Sequence, residues 1–228
     1  MKRRALLLSA AGLPLAAALL FLSLLAGPFA APLRAATPDV PADTIRQPRP
    51  LDVEALLNDP QAPNTGNPKG DVTIVAFFDY NCGYCRKSMP ALEKLVAEDG
   101  NIRLVYKDWP ILSKGSVTAA QLALAAGYQE KYVAAHKALM KVPGNASTER
   151  MSEALADAGI DRKQLAKDLK THAADIGALL GRNNDQAEAL GLPGTPVYLV
   201  GPYKVAAALD YEGFKQVVQD ARERAAGR

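Results

Sequence analysis

The sequence predicts an α/β domain in which a βαβ unit, a block of helices and a ββα unit follow one another. Three observations predict it. An apolar, β-branched run at residues 72–78 leads straight into a segment whose Met89, Leu92, Leu95 and Val96 share one helical face, and a second apolar run follows at 102–107. Helical periodicity then fills residues 113–190. Beyond it, two short apolar runs separated by Gly201-Pro202-Tyr203 precede a segment with Phe214, Val217, Val218 and Ala221 at helical spacing.

Taken in order, the chain opens Met1-Lys2-Arg3-Arg4 and stays uncharged from residue 5 to 33. A basic start, a Leu/Ala-rich stretch and the small residues Ala30, Ala31, Ala35 and Ala36 read as a secretory signal occupying residues 1–36. The apolar stretch 5–26 is also long enough for an uncleaved anchor. The leader carries Lys2, Arg3, Arg4 and Arg34 and no acid, so without it 23 basic residues face 24 acidic ones. The basic balance of the whole chain therefore belongs to the leader, and nothing is left to argue for nucleic-acid binding.

Residues 37–70 read as an N-terminal arm. The part up to Pro50 is rich in proline and charge, residues 51–57 form a short amphipathic helix able to dock on the domain or on a partner subunit, and residues 58–70 read as loop. The domain proper is expected over 71–228. Its first strand, residues 72–78, is apolar on both faces apart from Thr73, as a buried interior strand should be. The helix after it contains Pro90, which is tolerated there only with a kink, and ends at Gly100 or Asn101. In the helical block, helices are expected over 116–128, 130–140, 148–158, from Asp161 with Gln164 as a capping box, and over 173–190. His136 and His172 fall in these helices and read as packing and surface residues respectively. Gly194-Thr195-Pro196 then starts a strand, with Pro196 either a trans edge residue or a cis turn, and a last strand is expected at 205–209.

Cys82 and Cys85, the only cysteines of 228 residues, sit where the first strand gives way to the helix. A helix start offers unpaired N–H groups and the positive end of the dipole, so a sulfur there is favoured as thiolate. Cysteines of C-x-x-C pairs so placed fall from about 8.5 to roughly 3.5–7, which improves both the population of nucleophile and its quality as a leaving group. Cys82 is expected to be the exposed nucleophile and Cys85 the resolving thiol. A structural disulfide closing so short a loop constrains the unfolded chain little, and half a zinc site lacks a second cysteine pair or a close pair of histidines. Two unrelated core cysteines are the remaining bland reading.

Four stretches resemble one family. Phe77-Phe78-Asp79-Tyr80-Asn81-Cys82-Gly83-Tyr84-Cys85, Pro90 five residues later, Lys107-Asp108-Trp109-Pro110-Ile111-Leu112 and Gly194-Thr195-Pro196 are similar to segments of the DsbA-type thiol:disulfide oxidoreductases of the thioredoxin superfamily. The Gly83-Tyr84 dipeptide and Thr195 are also similar to DsbC-type isomerases and to ScsC proteins. The resemblance covers residues 71–228. It implies a thioredoxin-like fold (βαβ…ββα) with a helical insertion between the halves, at about 113–190, and a cis Thr195–Pro196 bond facing the cysteines. It implies Cys82 and Cys85 as catalytic residues, with Gly83, Tyr84, Thr195 and Pro196 touching substrate, and no cofactor or metal. The implied setting is exported or periplasmic. The implied partners are cysteine-containing exported proteins and a membrane redox partner of DsbB or DsbD type, with a homo-oligomer on the isomerase side. Where relatives carry a buried Glu six residues before the first cysteine this chain has Ala76, so Asp79 or Lys107 is expected to stand in as proton acceptor. The competing readings are an oligomeric isomerase or reductase, a redox-inert chaperone-like module that uses the groove beside Pro196, and a copper or zinc thiolate handler.

Overall fold

A computed structural model describes residues 51–227, which belong to one compact unit. The expected leader 1–36 and the arm up to Pro50 lie outside the described residues. Among those described, no helix is long and apolar enough to cross a membrane.

The architecture is a thioredoxin-like α/β sheet with a helical insertion. Strand β2 (Val72–Phe78) is central; β3 (Ile102–Asp108) lies parallel to it, and β4 (Val197–Val200) runs antiparallel on its other side. The order is completed by β1 (Asn64–Gly66) outside β3 and β5 (Tyr203–Val205) outside β4, giving β1-β3-β2-β4-β5. The β2–β3 crossover is α2 (Gly83–Asp99). The insertion contains α3 (Lys114–Gly127), α4 (Tyr132–Lys141), α5 (Thr148–Asp157), α6 (Arg162–Thr171) and α7 (Ala173–Ala189), and α8 (Tyr211–Ala225) closes the chain.

Alternation along β2 divides the core. Ile74, Ala76 and Phe78 face a large cluster with α2, α8 and the insertion, whereas Val75 and Phe77 face a smaller one with Leu56, Trp109, Ala187 and Val197. Both sides are covered, which is why β2 carries no polar alternation. Helix α2 buries Met89, Leu92, Leu95 and Val96, contains Pro90, and stops at Gly100, whose φ of 72° is the left-handed value that ends a helix. The buried alanines of α3, among them Ala119, Ala123 and Ala126, leave room for α4 to pack closely.

Two local expectations need correction. The stretch 58–70 is not all loop, because Asn64-Thr65-Gly66 pairs antiparallel with Val105-Leu104-Arg103. These residues have no strand pattern of their own; the free edge of β3 imposes it, with Tyr106 N–H donating to the Pro63 carbonyl and Asn67 N–H to that of Ile102. The last strand begins at Tyr203 rather than Val205, since Gly201-Pro202 turns the chain in two residues and Tyr203 at once pairs with Val200. Of the two docking partners expected for the short helix near residues 51–57, here α1 (Val53–Asn58), the structure shows its own domain: Leu56 packs on the sheet, and Arg182 on Asp59 and Gln186 on the Ala55 carbonyl hold it. Its buried side is used within the chain.

Gly66 is the tightest of these joints. It has φ of 79°, and a Cβ there would lie 2.3 Å from the Ile102 carbonyl oxygen. A side chain at such φ costs about 1–2 kcal/mol before any clash. Gly66→Ala is therefore expected to lower unfolding free energy by about 2 kcal/mol or more in urea titrations while leaving the thiol chemistry of Cys82 intact. An unchanged midpoint would mean that β1 does not contribute to stability as argued.

Candidate active site

The junction of β2 and α2 is built by hydrogen bonds that leave sulfur at its apex. Cys82 is itself the N-cap of α2, and its Sγ accepts the Cys85 N–H at 3.3 Å. A cysteine sulfur thus occupies the place usually taken by a Ser or Asp oxygen. The turn before it is tied by Cys82 N–H to the Asp79 carbonyl at 3.1 Å. The Asp79 carboxylate, almost fully buried, accepts N–H groups from Asn81 at 2.7 Å, Ile111 at 2.9 Å and Leu112 at 3.0 Å. One acid therefore clamps the active-site turn to the loop after β3.

Opposite the cysteines lies the Thr195–Pro196 bond, which is cis. The Cys82 thiol donates to the Thr195 carbonyl at 3.3 Å. The Thr195 hydroxyl is buried with no settled hydrogen-bond partner. Both thiols are free, and Cys82 is more enclosed than the sequence suggested: it is 5% exposed, and Cys85 not at all. The expectation of an exposed Cys82 thus holds only in comparison with Cys85, because the Thr195 carbonyl sits against its sulfur.

The two sulfurs differ sharply in acidity. The hydrogen bond from Cys85 holds the Cys82 thiol down to about 5 against the opposing effect of burial, helped by Thr195 and by the N–H groups of Cys85 and Tyr84. Burial, and then the neighbouring Cys82 sulfur, push Cys85 far above the usual thiol range. Near neutral pH the pair is one thiolate and one thiol sharing a proton's worth of hydrogen bonding.

Gly83 and Tyr84, in the first turn of α2, are both open to solvent, Tyr84 by 70%. Tyr84 and Lys87 form one wall of a groove of about 470 Å³ whose other walls are Thr195, Pro196 and Ala206 to Ala208. The structure therefore brings all six sequence-predicted site residues to one place. It does not bring Asp79 or Lys107 there as a proton acceptor. The Asp79 carboxylate is taken up by three main-chain donors, and only its main chain acts on Cys85. Lys107 pairs with Phe77 and so lies on the face of the sheet away from the cysteines, its Nζ buried without a hydrogen-bond partner among the described residues and its pKa lowered by burial to about 8.

Sequence reasoning missed a polar cluster on the cysteine side of the sheet. Tyr80, two residues before Cys82, shares a hydrogen bond with His136 Nδ1 at 3.1 Å, and Tyr132 donates to Asp108 at 2.7 Å. Burial raises the Asp108 carboxyl to about 7 and lowers the His136 imidazole to about 3, so that His136 is neutral and packs, as expected. The one available signal was Asp108 itself, an acid closing an otherwise apolar strand. His172 stands apart, part-exposed and stacked on Tyr128 with ring centres 3.6 Å apart.

Comparison with known proteins places this geometry. A family model described as Thioredoxin matches residues 58–220. Among solved structures, the chain is similar to a thioredoxin-like oxidoreductase from Silicibacter pomeroyi DSS-3, with 42% identity and a TM-score of 0.71 over 75% of this chain and 98% of that one. It is similar to the thiol-disulfide exchange protein α-DsbA2 from Wolbachia pipientis, with 29% identity and a TM-score of 0.69 over 73% and 90%. It also resembles the catalytic domain of Proteus mirabilis ScsC, with 25% identity and a TM-score of 0.67 over 74% and 93%. Curated relatives are longer: the chain spans about a quarter of a Na(+)/H(+) antiporter NhaA 1 from Salinispora arenicola, 28% identical over 72% of this chain and 25% of that protein.

The acidity of Cys82 has a direct readout. Titrating thiolate absorbance, or the rate of iodoacetamide alkylation, in the reduced protein is expected to give a midpoint near 5, absent from Cys82→Ser. Because this pKa is depressed in the folded dithiol state from an ordinary 9.0, the stabilisation it contributes is complete above pH 9 and vanishes as pH falls through 5. The melting temperature of the reduced form relative to the disulfide form should therefore decline from pH 9 towards pH 5 and level off below. A gap independent of pH would refute an anionic Cys82.

Proposed function

We propose, for a chain that belongs to the thioredoxin family and is a thiol:disulfide oxidoreductase of DsbA type, that the Cys82–Cys85 pair performs the exchange and that it works in the oxidising direction on cysteine-containing exported proteins. The observation that carries the reading is the pair's asymmetry: one sulfur anionic and set against the Thr195 carbonyl, the other protonated and fully buried.

In the oxidising cycle a client thiolate attacks Sγ of Cys82 in the Cys82–Cys85 disulfide. The S–S bond breaks, Cys85 leaves with the electron pair and, because burial disfavours its anion, takes up a proton. A second client thiolate then attacks the client sulfur of the mixed disulfide, and Cys82 leaves as a stable thiolate. Two client thiols have become a disulfide, and two electrons rest on the enzyme, with one proton on Cys85 and one in solvent. A membrane redox partner of DsbB type restores the disulfide. Thr195, Pro196 and Tyr84 flank the client backbone in the groove next to the pair, with Gly83 exposed in the first turn of α2 beside it, and the cis-proline edge offers main-chain groups to an extended segment. The basic, apolar start of the chain supports export.

The same asymmetry favours this direction. With Cys82 near 5, two pH units below neutrality, the reduced form gains about 2.7 kcal/mol at pH 7, which corresponds to about 60 mV towards a more oxidising potential. An isomerase assembled through α1 lacks this support, since the apolar side of α1 is already used on its own sheet.

Refolding of reduced ribonuclease with the oxidised protein tests the reading. Stoichiometric formation of client disulfides is expected, lost both in Cys82→Ser and in Cys85→Ser, neither of which can form the pair's disulfide. The equilibrium with glutathione should place the potential above thioredoxin's value of about −270 mV; a potential at or below that value would reverse the assigned direction.

A further inference from the structure

A second groove, on the other side of α2 from the cis-proline loop, is unused by this chemistry. It occupies about 570 Å³ between α2 and α4. Arg86, Met89, Pro90 and Glu93 line it from α2; they stand four, seven, eight and eleven residues after Cys82, which puts them on the helical stripe that begins at that cysteine. From α4 come Lys137, Met140 and Lys141. Arg86 donates to the Val142 carbonyl at 2.9 Å and Lys137 lies 3.9 Å from Glu93, so the two helices run antiparallel along the groove.

The lining is amphipathic. Met89 and Met140 are buried and form a floor of adaptable side chains, whereas Arg86, Lys94, Lys137 and Lys141 form the rim. Among the described residues no carboxylate lies within ion-pair distance of Arg86 or Lys141. Lys94 is shared with Glu98 at 3.9 Å. Glu93, the acid of the lining, is turned inwards: its side chain is 14% exposed, accepts the Tyr106 hydroxyl at 3.3 Å, and has its carboxyl pushed up by burial. The open rim is therefore positive.

We infer that the α2–α4 groove docks an acidic, extended stretch of the client polypeptide, carried a few residues from the cysteine that reacts with Cys82. This rests on the exchange reaction proposed above and adds a specificity that the cis-proline side does not supply. Helical rise sets the register. Arg86, with Lys141 beside it, lies about 6 Å along the axis from Cys82 and Lys94 about 18 Å. At about 3.3 Å per residue of extended chain, acidic side chains two to five residues from the client cysteine reach both.

The test uses the full chain and synthetic peptides with one cysteine and either Glu or Gln at positions two to five from it, on either side. At low salt the oxidised protein is expected to react about three- to tenfold faster with a Glu peptide than with its Gln counterpart, the range for two or three surface charge pairs. The preference should vanish at about 0.5 M salt. The double variant Lys137→Glu/Lys141→Glu should reverse it while oxidation of dithiothreitol proceeds unchanged. Equal rates for the two peptides, or a preference untouched in the double variant, would overturn the inference. Serine versions of the peptides, labelled for fluorescence anisotropy, separate docking from exchange: preferential binding of the Glu peptide alongside inert thiols would sink the proposed reaction and keep the groove, and equal binding would sink the groove.

Discussion

The N–H of Cys85 points at the sulfur of Cys82 from 3.3 Å, and the remainder of the molecule can be understood as what keeps it there. A helix start has main-chain donors to offer, and a cysteine at the N-cap receives one without any extra residue. Holding it requires that α2 begin at a fixed point. The clamp made by Asp79 between the active-site turn and the Ile111–Leu112 main chain does that on one side. The register of β2 with β3 and β4 does so from below.

The opposing wall is held as firmly by different means. β4 follows the cis bond directly and pairs with β2 from Phe77 onwards, so the position of Thr195 is set by the central strand rather than by its loop. Tyr198 of the same strand reaches the hydroxyl of Ser88 in α2 at 2.5 Å and lies close to Met89. Both walls of the site are thus referred to one strand and one helix, and a displacement of either would move the Thr195 carbonyl relative to the sulfur it touches. The helical insertion contributes through Tyr132 and His136, whose rings pack on Tyr106, Phe78 and Tyr80. It meets the sheet on the side that carries the cysteines.

Legibility in the sequence follows from how local each cause is. β2, α2 with its proline and glycine, and the strand-to-helix placement of the cysteines were readable because hydrophobic period and backbone punctuation act within a few residues. The proline loop was readable as a turn, and its cis form came from resemblance alone. β1 was not readable, since Asn64-Thr65-Gly66 is a strand only because β3 has an open edge. The apolar residues after β5 misled for the same reason: turn geometry ended the pairing at Val205, leaving Ala206 to Ala208 as a groove wall. Asp108, Tyr80 and His136 lie far apart in sequence, and no spacing rule links them. The depth at which Cys82 sits depends on a carbonyl 113 residues away, which no window of sequence contains.

Ala76 sharpens what the pair must do for itself. A carboxylate at that point of β2 would give the buried thiol a neighbouring base. Here the position is fully buried and apolar, Lys107 is screened by the thickness of the sheet, and the Asp79 carboxylate has its oxygens committed to main-chain donors. The groups that favour an anion at Cys85 are the Asp79 main chain and Thr195, neither of which titrates. In the proposed cycle a proton arriving at Cys85 therefore finds polar company only in the Asp79 main chain and in Thr195. Burial and the neighbouring Cys82 sulfur then keep Cys85 protonated, while the Cys85 hydrogen bond, helped by Thr195 and the helix start, keeps Cys82 ionised, and the order of events follows: Cys82 can depart as an anion, whereas Cys85 departs only together with a proton. The difference between the two sulfurs is first their mutual hydrogen bond, which favours the anion on Cys82 and opposes it on Cys85, and then the deeper burial of Cys85.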